Sequence, residues 1–223
     1  MALFCRTEWS NNDKMIHIER QPEPDDFNSK VRTPGNLFLA HTPSPRGKDW
    51  SRHSYWTLCS SQLYSAYRGI CAYTGEWFAM SSSPVSVDHF YPKSTHQELA
   101  YEWSNYRLTT QQMNSYKSDK IVSDPFEIND GDFTIDFPSC LIKPNTCLAP
   151  GLKNKILYSI KILHLNDEEF VNNRLDILLY YINGNIDRVF LESHYPFIGA
   201  ELKRQNLFET IGERFKDLPP SNS

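Results

Sequence analysis

Four polar side chains between residues 85 and 120 have the types that hydrolysis of a phosphodiester needs. Asp88 and His89 are adjacent at the end of an apolar and polar alternation that predicts a short strand. Asn105 and Asn114 follow them along the chain. A carboxylate and an amide can supply oxygen ligands to a hard cation such as Mg²⁺ or Mn²⁺. A neutral imidazole can accept the proton of an attacking water, so the set predicts a metal-dependent phosphodiesterase site.

The sequence around these residues predicts the elements that must position them. The strand that carries Asp88 and His89 ends before Pro92, because proline has no N–H to donate to a neighbouring strand. A polar loop then leads to Asn105, and Asn114 lies on the helix that follows. Two strands, a loop and a helix therefore carry Asp, His, Asn and Asn in that order.

This order resembles the HNH, or ββα-metal, endonucleases. The pattern of that family is Asp or His followed by His, then Pro-x-Ser, then Asn, then Asn or His followed by x-x-Lys. This sequence has, in the same order, Asp88-His89, Pro92-Lys93-Ser94, Asn105 and Asn114-Ser115-Tyr116-Lys117. The resemblance covers about a quarter of the chain, and the four ordered elements together make it specific.

The resemblance implies a role for each of the four residues. Asp88 matches the first metal ligand of the family, and Asn114 matches the second. His89 matches the general base that deprotonates water. Asn105 matches the loop asparagine that holds the hairpin through backbone hydrogen bonds. The implied cofactor is Mg²⁺ or Mn²⁺.

Each of these positions also has a plainer interpretation. Asp88 and His89 taken alone fit a solvated strand end, and Asn105 fits a turn. Asn114 fits an ordinary helix cap. Four cationic residues near the motif are candidates for phosphate contact or for ordinary surface positions: Lys93, Arg107, Lys117 and Lys120.

The motif departs from many of its relatives at a structural zinc site. Those relatives hold the motif with two Cys-x-x-Cys pairs, whereas this chain has Cys71 with Thr74, and Thr110 with Met113. One thiolate cannot hold a tetrahedral zinc, so no structural zinc is expected. Packing of aromatic side chains must then replace it, with five residues as candidates: Tyr73, Trp77, Phe78, Trp103 and Tyr106.

The predicted fold is α+β, with a ββα-metal HNH core embedded in a mostly helical domain. Prolines punctuate residues 1–48, which predicts an extended N-terminal arm. Residues 49–123 are predicted to hold a leading helix and the nuclease core. Residues 124–223 are predicted to be mainly helical, with a strand at Phe133–Phe137.

Composition narrows the possible environments and partners. The 223 residues include 39% hydrophobic residues without an apolar run long enough for a membrane span. Five cysteines without paired spacing are typical of reduced thiols in a cytosolic protein, so a cytoplasmic location is expected. The net charge of −4 argues against indiscriminate coating of nucleic acid, and any binding surface must be local.

The expected partner is a nucleic acid, with DNA favoured over RNA. The layout around the motif, with Ile160, Leu163, Leu165, Asn166 and Arg174, is similar to HNH effectors of Septu and retron anti-phage systems. That similarity implies a partner ATPase.

Two other functions stay open at this point. One is a nucleic-acid-binding module with a silent HNH fold, and the other is a cysteine hydrolase that uses Cys71 with His89.

Overall fold

The structure, a computed structural model, describes residues 18–215. These residues divide into two compact units, 18–126 and 127–215. Helices and two small antiparallel sheets make the fold α+β, as the sequence predicts. Among the described helices, none is long and apolar enough to cross a membrane.

The unit of residues 18–126 contains a β-hairpin, four helices and several single turns of helix. Its helices and strands are α1 (Thr33–His41), α2 (Gly47–Arg52), α3 (Ser60–Ala66), β1 (Val85–His89), β2 (Tyr106–Thr110) and α4 (Gln111–Lys117). A π-helical turn at Asn28–Arg32 precedes α1, and 3₁₀ turns lie at Tyr55–Cys59, Gln97–Leu99 and Trp103–Asn105.

Strands β1 and β2 pair antiparallel, with Val87 opposite Leu108 and His89 opposite Tyr106. Val87 and Leu108 are both buried, which explains the alternation read from the sequence. Helix α4 follows β2 directly, and its first turn is capped by the Thr110 hydroxyl, which accepts a hydrogen bond from the Met113 N–H at 3.3 Å. A two-stranded hairpin and a helix therefore hold Asp88, His89 and Asn114, in the predicted order.

Aromatic rings fill the space behind the hairpin. The ring of Phe27 packs edge-on against Trp103 and Tyr106, with centroids 5.6 and 5.8 Å apart. The Trp103 indole N–H donates to the Gln21 carbonyl at 2.8 Å, so its polar atom is satisfied. Of the five rings expected to replace a zinc site, Tyr73, Phe78, Trp103 and Tyr106 are buried; Trp77 is 38% exposed.

The extended N-terminal arm is a wrong prediction for the described part of residues 1–48. Residues 28–41 are helical and belong to the same unit as the hairpin. Pro34 lies in the first turn of α1, directly after the π-helical turn at Asn28–Arg32, and the chain stays helical across it. Gly35 is a helical residue rather than a turn residue: a side chain there would overlap the ring of Tyr101.

The single leading helix predicted after residue 49 is divided into α2, a 3₁₀ turn and α3. The unit boundary at residue 126 lies close to the predicted one at 123. Residues 1–17 of the predicted arm lie outside the described residues.

The unit of residues 127–215 consists of a hairpin and helices. Strands β3 (Phe133–Asp136) and β4 (Leu141–Pro144) pair antiparallel. The helices are α5 (Pro150–Ile162), α6 (Glu168–Ile182), α7 (Arg188–His194) and α8 (Pro196–Arg204), with a 3₁₀ turn at Ile211–Phe215. The mainly helical character and the strand at Phe133 agree with the sequence prediction. The buried Glu201 carboxylate accepts the Ile135 N–H at 2.7 Å, which joins α8 to β3.

Three described cysteines, Cys59, Cys71 and Cys140, are free and buried, as expected of reduced thiols.

The aromatic packing behind the hairpin predicts a large effect of truncating Trp103. The variant Trp103→Ala should lower the free energy of unfolding by about 3–5 kcal/mol, because it removes a buried ring and leaves a cavity. Leu58→Ala is a control, since Leu58 is 57% exposed and should change stability by less than about 0.5 kcal/mol. Urea unfolding of both variants measures the difference, and similar values would contradict this role of Trp103.

Candidate active site

Three of the four predicted site residues line one cavity of about 260 Å³ beside β1 and α4. They are Asp88, His89 and Asn114, and Lys93 lines the same cavity. Thus the hairpin and the helix bring together a carboxylate, an imidazole, an amide and an ammonium group. Asn105 is not among the residues that line the cavity and lies in the 3₁₀ turn directly before β2.

The His89 ring is held in one orientation and one tautomer. Its Nε2 donates a hydrogen bond to the Ala100 carbonyl at 2.9 Å, and that carbonyl also accepts the Tyr106 hydroxyl at 2.9 Å. Because Nε2 carries the proton, Nδ1 carries the lone pair of the neutral ring. The Trp56 ring packs perpendicular to the imidazole, with centroids 4.8 Å apart.

Burial keeps this imidazole neutral. His89 is 6% exposed, and desolvation together with the nearby positive charge of Lys93 lowers its pKa to about 3. The hydrogen bond to Ala100 opposes the shift without reversing it. At neutral pH the ring is therefore uncharged.

The Asp88 carboxylate is bound at both oxygens by buried side chains. The Tyr73 hydroxyl donates to Oδ2, and the Lys117 ammonium donates to Oδ1 at 3.0 Å. Burial raises the pKa of Asp88, while the Lys117 charge and the Tyr73 hydroxyl favour the ionised form. Lys117 also donates to the His89 carbonyl at 3.0 Å, so one ammonium ties α4 to the end of β1.

Asn114 presents its amide to the same cavity. Its Nδ2 donates to the Ser86 hydroxyl at 2.7 Å, which aims the amide from α4 toward β1. The amide nitrogen of Asn114 is therefore bound to the protein, and its amide oxygen is the atom that could bind a cation.

The donors present fit a hard divalent cation in type. Within residues 18–215, no three His, Cys, Asp or Glu side chains are grouped to hold a metal ion. The side chains that line the cavity include the Asp88 carboxylate, the Asn114 amide and the Asp119 carboxylate, and the family resemblance assigns the first two to the cation. A carboxylate has about four lone-pair positions, so the two hydrogen bonds to Asp88 do not exhaust its capacity. Mg²⁺ is commonly bound through one or two protein oxygens plus water and substrate phosphate.

Asn105 fixes the loop between β1 and β2 with both ends of its amide. Its Oδ1 accepts the Tyr91 N–H at 2.8 Å, and its Nδ2 donates to the carbonyls of Tyr91 and Leu99 at 3.0 and 3.1 Å. These are the backbone bonds that the HNH resemblance implies. They hold the chain that follows His89, so Asn105 acts on the site through the loop.

Two of the four cationic residues proposed for phosphate contact are core residues instead. Arg107 is 2% exposed and forms a two-pronged pair with Asp124, at 2.9 and 2.7 Å, against the rings of Phe90 and Phe126. Lys117 is fully buried on Asp88. A buried, paired cation cannot reach a phosphate at the surface, so both assignments to a nucleic-acid surface are wrong for this structure.

Lys93 and Lys120 lie where a phosphate could reach them, as the predicted phosphate contact requires. Lys93 lines the cavity, and its ammonium lies 5.3 Å from the centre of the Trp56 ring. Burial lowers its pKa. Lys120 follows α4 and is exposed. Of the four, Lys93 is the cation placed beside His89 and Asp88 in the cavity.

Sequence reasoning missed the polar role of Tyr73 and the cavity-lining roles of Trp56 and Ser86. Tyr73 was expected only to pack, yet its hydroxyl bonds the Asp88 carboxylate. No periodicity or motif marks that contact, because the two residues are joined by tertiary structure. Cys71, the remaining cysteine of the family's zinc pair, lies 3.5 Å from the Thr109 hydroxyl. The expected absence of a structural zinc stays a prediction.

Comparison with known proteins adds a distant relative. No family model matches the chain. It is 27% identical over 168 residues to Septu protein PtuB of Bacillus thuringiensis. The chain is similar to a Septu protein. The match covers 74% of this chain and 58% of the relative, so this chain spans little more than half of that protein's length.

The burial of His89 predicts a specific pH dependence of stability. The folded pKa of about 3 lies below the usual 6.5, so the unfolded chain binds one more proton between these values. Unfolding free energy should therefore fall as pH decreases through this window, by up to about 1.4 kcal/mol per pH unit from this residue.

Glutamine keeps a donor for the Ala100 carbonyl but does not titrate, which makes His89→Gln the matched variant. Urea unfolding at several pH values between 7 and 4 measures both proteins. The stability difference between wild type and variant should shrink or invert as pH falls. A difference that is constant over that range would show that His89 is not held neutral by burial.

Proposed function

We propose that this chain is an endonuclease of the HNH type, which hydrolyses phosphodiester bonds of a nucleic acid with one divalent cation. The observation that carries the proposal is the placement of His89: its Nε2 is bound to a carbonyl, and the ring lines one cavity with Asp88, Asn114 and Lys93. The resemblance of the ordered motif to the HNH pattern supports the same reaction.

In the proposed reaction His89 acts as the general base. Nδ1 takes a proton from a water molecule while the water oxygen forms a bond to phosphorus and the bond to the leaving oxygen breaks. The imidazolium returns its proton to solvent, and the leaving oxygen takes a proton from water. The bond from Nε2 to Ala100 fixes the ring and leaves Nδ1 as the nitrogen that can accept a proton.

Asp88 and Asn114 are the residues that would hold the cation, through a carboxylate and an amide oxygen. A bound Mg²⁺ or Mn²⁺ would stabilise negative charge on the phosphate and on the leaving oxygen. Lys93 adds a positive charge at the same cavity, where it can contact a phosphate oxygen. Asn105 maintains the loop that carries Lys93.

The biological setting that we propose is anti-phage defence. The similarity to Septu protein PtuB supports it, together with the resemblance of the sequence layout to Septu and retron effectors. A partner ATPase that controls the nuclease belongs to the same proposal. DNA is the favoured substrate class, and RNA is the alternative that a substrate panel distinguishes.

Two other functions have weaker support. A silent nucleic-acid-binding module needs no oriented, neutral imidazole. The His89 ring is held in that state, and it shares its cavity with Asp88 and Asn114. A cysteine hydrolase needs Cys71 beside His89. Cys71 is 2% exposed, contacts Thr109, and is absent from the described residues that line the cavity.

The role of His89 is tested by cleavage of plasmid DNA, single-stranded DNA and tRNA by the full chain. His89→Ala should fold normally and lower the rate by about 10²-fold or more, since it removes the proton acceptor. His96→Ala is the matched control, because His96 is a half-buried histidine of the same loop and contacts Thr95 and Tyr91. Near-normal turnover by folded His89→Ala would exclude the assignment.

The cation ligands are tested by the metal concentration at half-maximal cleavage. Asp88→Ala and Asn114→Ala should each raise the Mg²⁺ concentration required, because each removes an oxygen donor. Asp119→Asn is the control, since Asp119 lines the cavity without a proposed ligand role. An unchanged Mg²⁺ curve for Asn114→Ala would exclude its ligand role. Cleavage in excess EDTA would overturn the metal mechanism.

A further inference from the structure

Lys117 occupies an unusual position for a lysine. Its side chain is fully buried, and its Nζ donates to Asp88 Oδ1 and to the His89 carbonyl, both at 3.0 Å. The ammonium lies 5.8 Å from the centre of the Phe90 ring. A buried ammonium therefore rests on the carboxylate that the proposed function assigns to the divalent cation.

This contact balances the charge of Asp88 within the protein. Asp88 is 2% exposed, and an ionised carboxylate at that depth is unfavourable without an opposite charge beside it. Lys117 provides that charge, and the Tyr73 hydroxyl donates to the second oxygen. The carboxylate thus has charge and hydrogen-bond partners before any metal is added.

A divalent cation on Asp88 would lie within a few ångströms of the Lys117 ammonium. Like charges at that separation repel strongly where water is excluded, so the two cations oppose each other at one carboxylate. The repulsion lowers the affinity for the metal, since the metal gains less from a carboxylate that is already neutralised.

We propose that Lys117 is a resident counter-cation that competes with the divalent cation for Asp88. It holds the fold together when no metal is bound and keeps the affinity for the metal low. This inference rests on the proposed function, because it concerns the same cation site. It gives Lys117 a positioning role that differs from the phosphate contact expected from the sequence.

Binding of Mn²⁺ to the full-length protein, followed by the electron paramagnetic resonance signal of free Mn²⁺, tests the inference without a cleavage assay. Lys117→Gln removes the charge and keeps a donor for Asp88 and the His89 carbonyl. It should bind Mn²⁺ about tenfold or more tightly than wild type. Lys117→Arg keeps the charge and should show no such gain.

The direction of the change separates competition from a purely structural role. If Lys117 only supported the fold, its loss would loosen the site and weaken Mn²⁺ binding. Equal or weaker binding by Lys117→Gln would overturn the inference, whereas loss of Mn²⁺ binding in Asp88→Asn would still support the cation site. If no protein bound Mn²⁺ at all, both the inference and the metal mechanism would fail.

Lys117→Met provides a second neutral variant, and melting temperature provides a second measurement. Neutral variants leave Asp88 without a counter-charge, so Mn²⁺ should raise their melting temperature more than that of wild type. A variant that unfolds without metal should regain its fold with Mn²⁺. Neutral variants that stay unfolded in Mn²⁺, or gain no more than wild type, would overturn the inference.

Discussion

The structure around the cavity depends on one buried carboxylate, Asp88. Tyr73 from the segment before the hairpin donates to one of its oxygens, and Lys117 at the end of α4 donates to the other. A single acidic side chain on β1 thereby joins three parts of the chain. Removing one partner would leave a buried group unsatisfied, which costs far more than a surface contact is worth. The same carboxylate is the proposed cation ligand, so Asp88 would serve both the stability of the fold and the reaction.

Burial also separates the protonation behaviour of two adjacent residues. Desolvation raises the pKa of Asp88 and lowers the pKa of His89, because it disfavours the charged form of each. Opposite shifts of neighbouring groups are a feature of sites that divide acid and base roles. Here the carboxylate has Lys117 to retain its charge, while the imidazole lies against Trp56 and near Lys93 and stays neutral.

Strand β1 follows from local sequence, because the alternation of apolar and polar residues is a local signal. The alternation at Val85 and Val87 marks β1, and the ordered motif places Asp88, His89 and Asn114. Tertiary pairing leaves no local signal. Arg107 and Lys117 look like surface cations until Asp124 and Asp88 are placed beside them. Pro34 looks like an interruption, although it lies in the first turn of α1.

The most direct test of the central claim is the position of a bound cation relative to these side chains. Crystals soaked in Mn²⁺ and measured at a wavelength where manganese scatters anomalously would show it. The account predicts one strong peak within about 2.5 Å of oxygens of both Asp88 and Asn114, on the cavity side of His89. A peak elsewhere, or occupancy that persists in Asp88→Asn crystals, would contradict the assignment of these residues as the cation site of a nuclease.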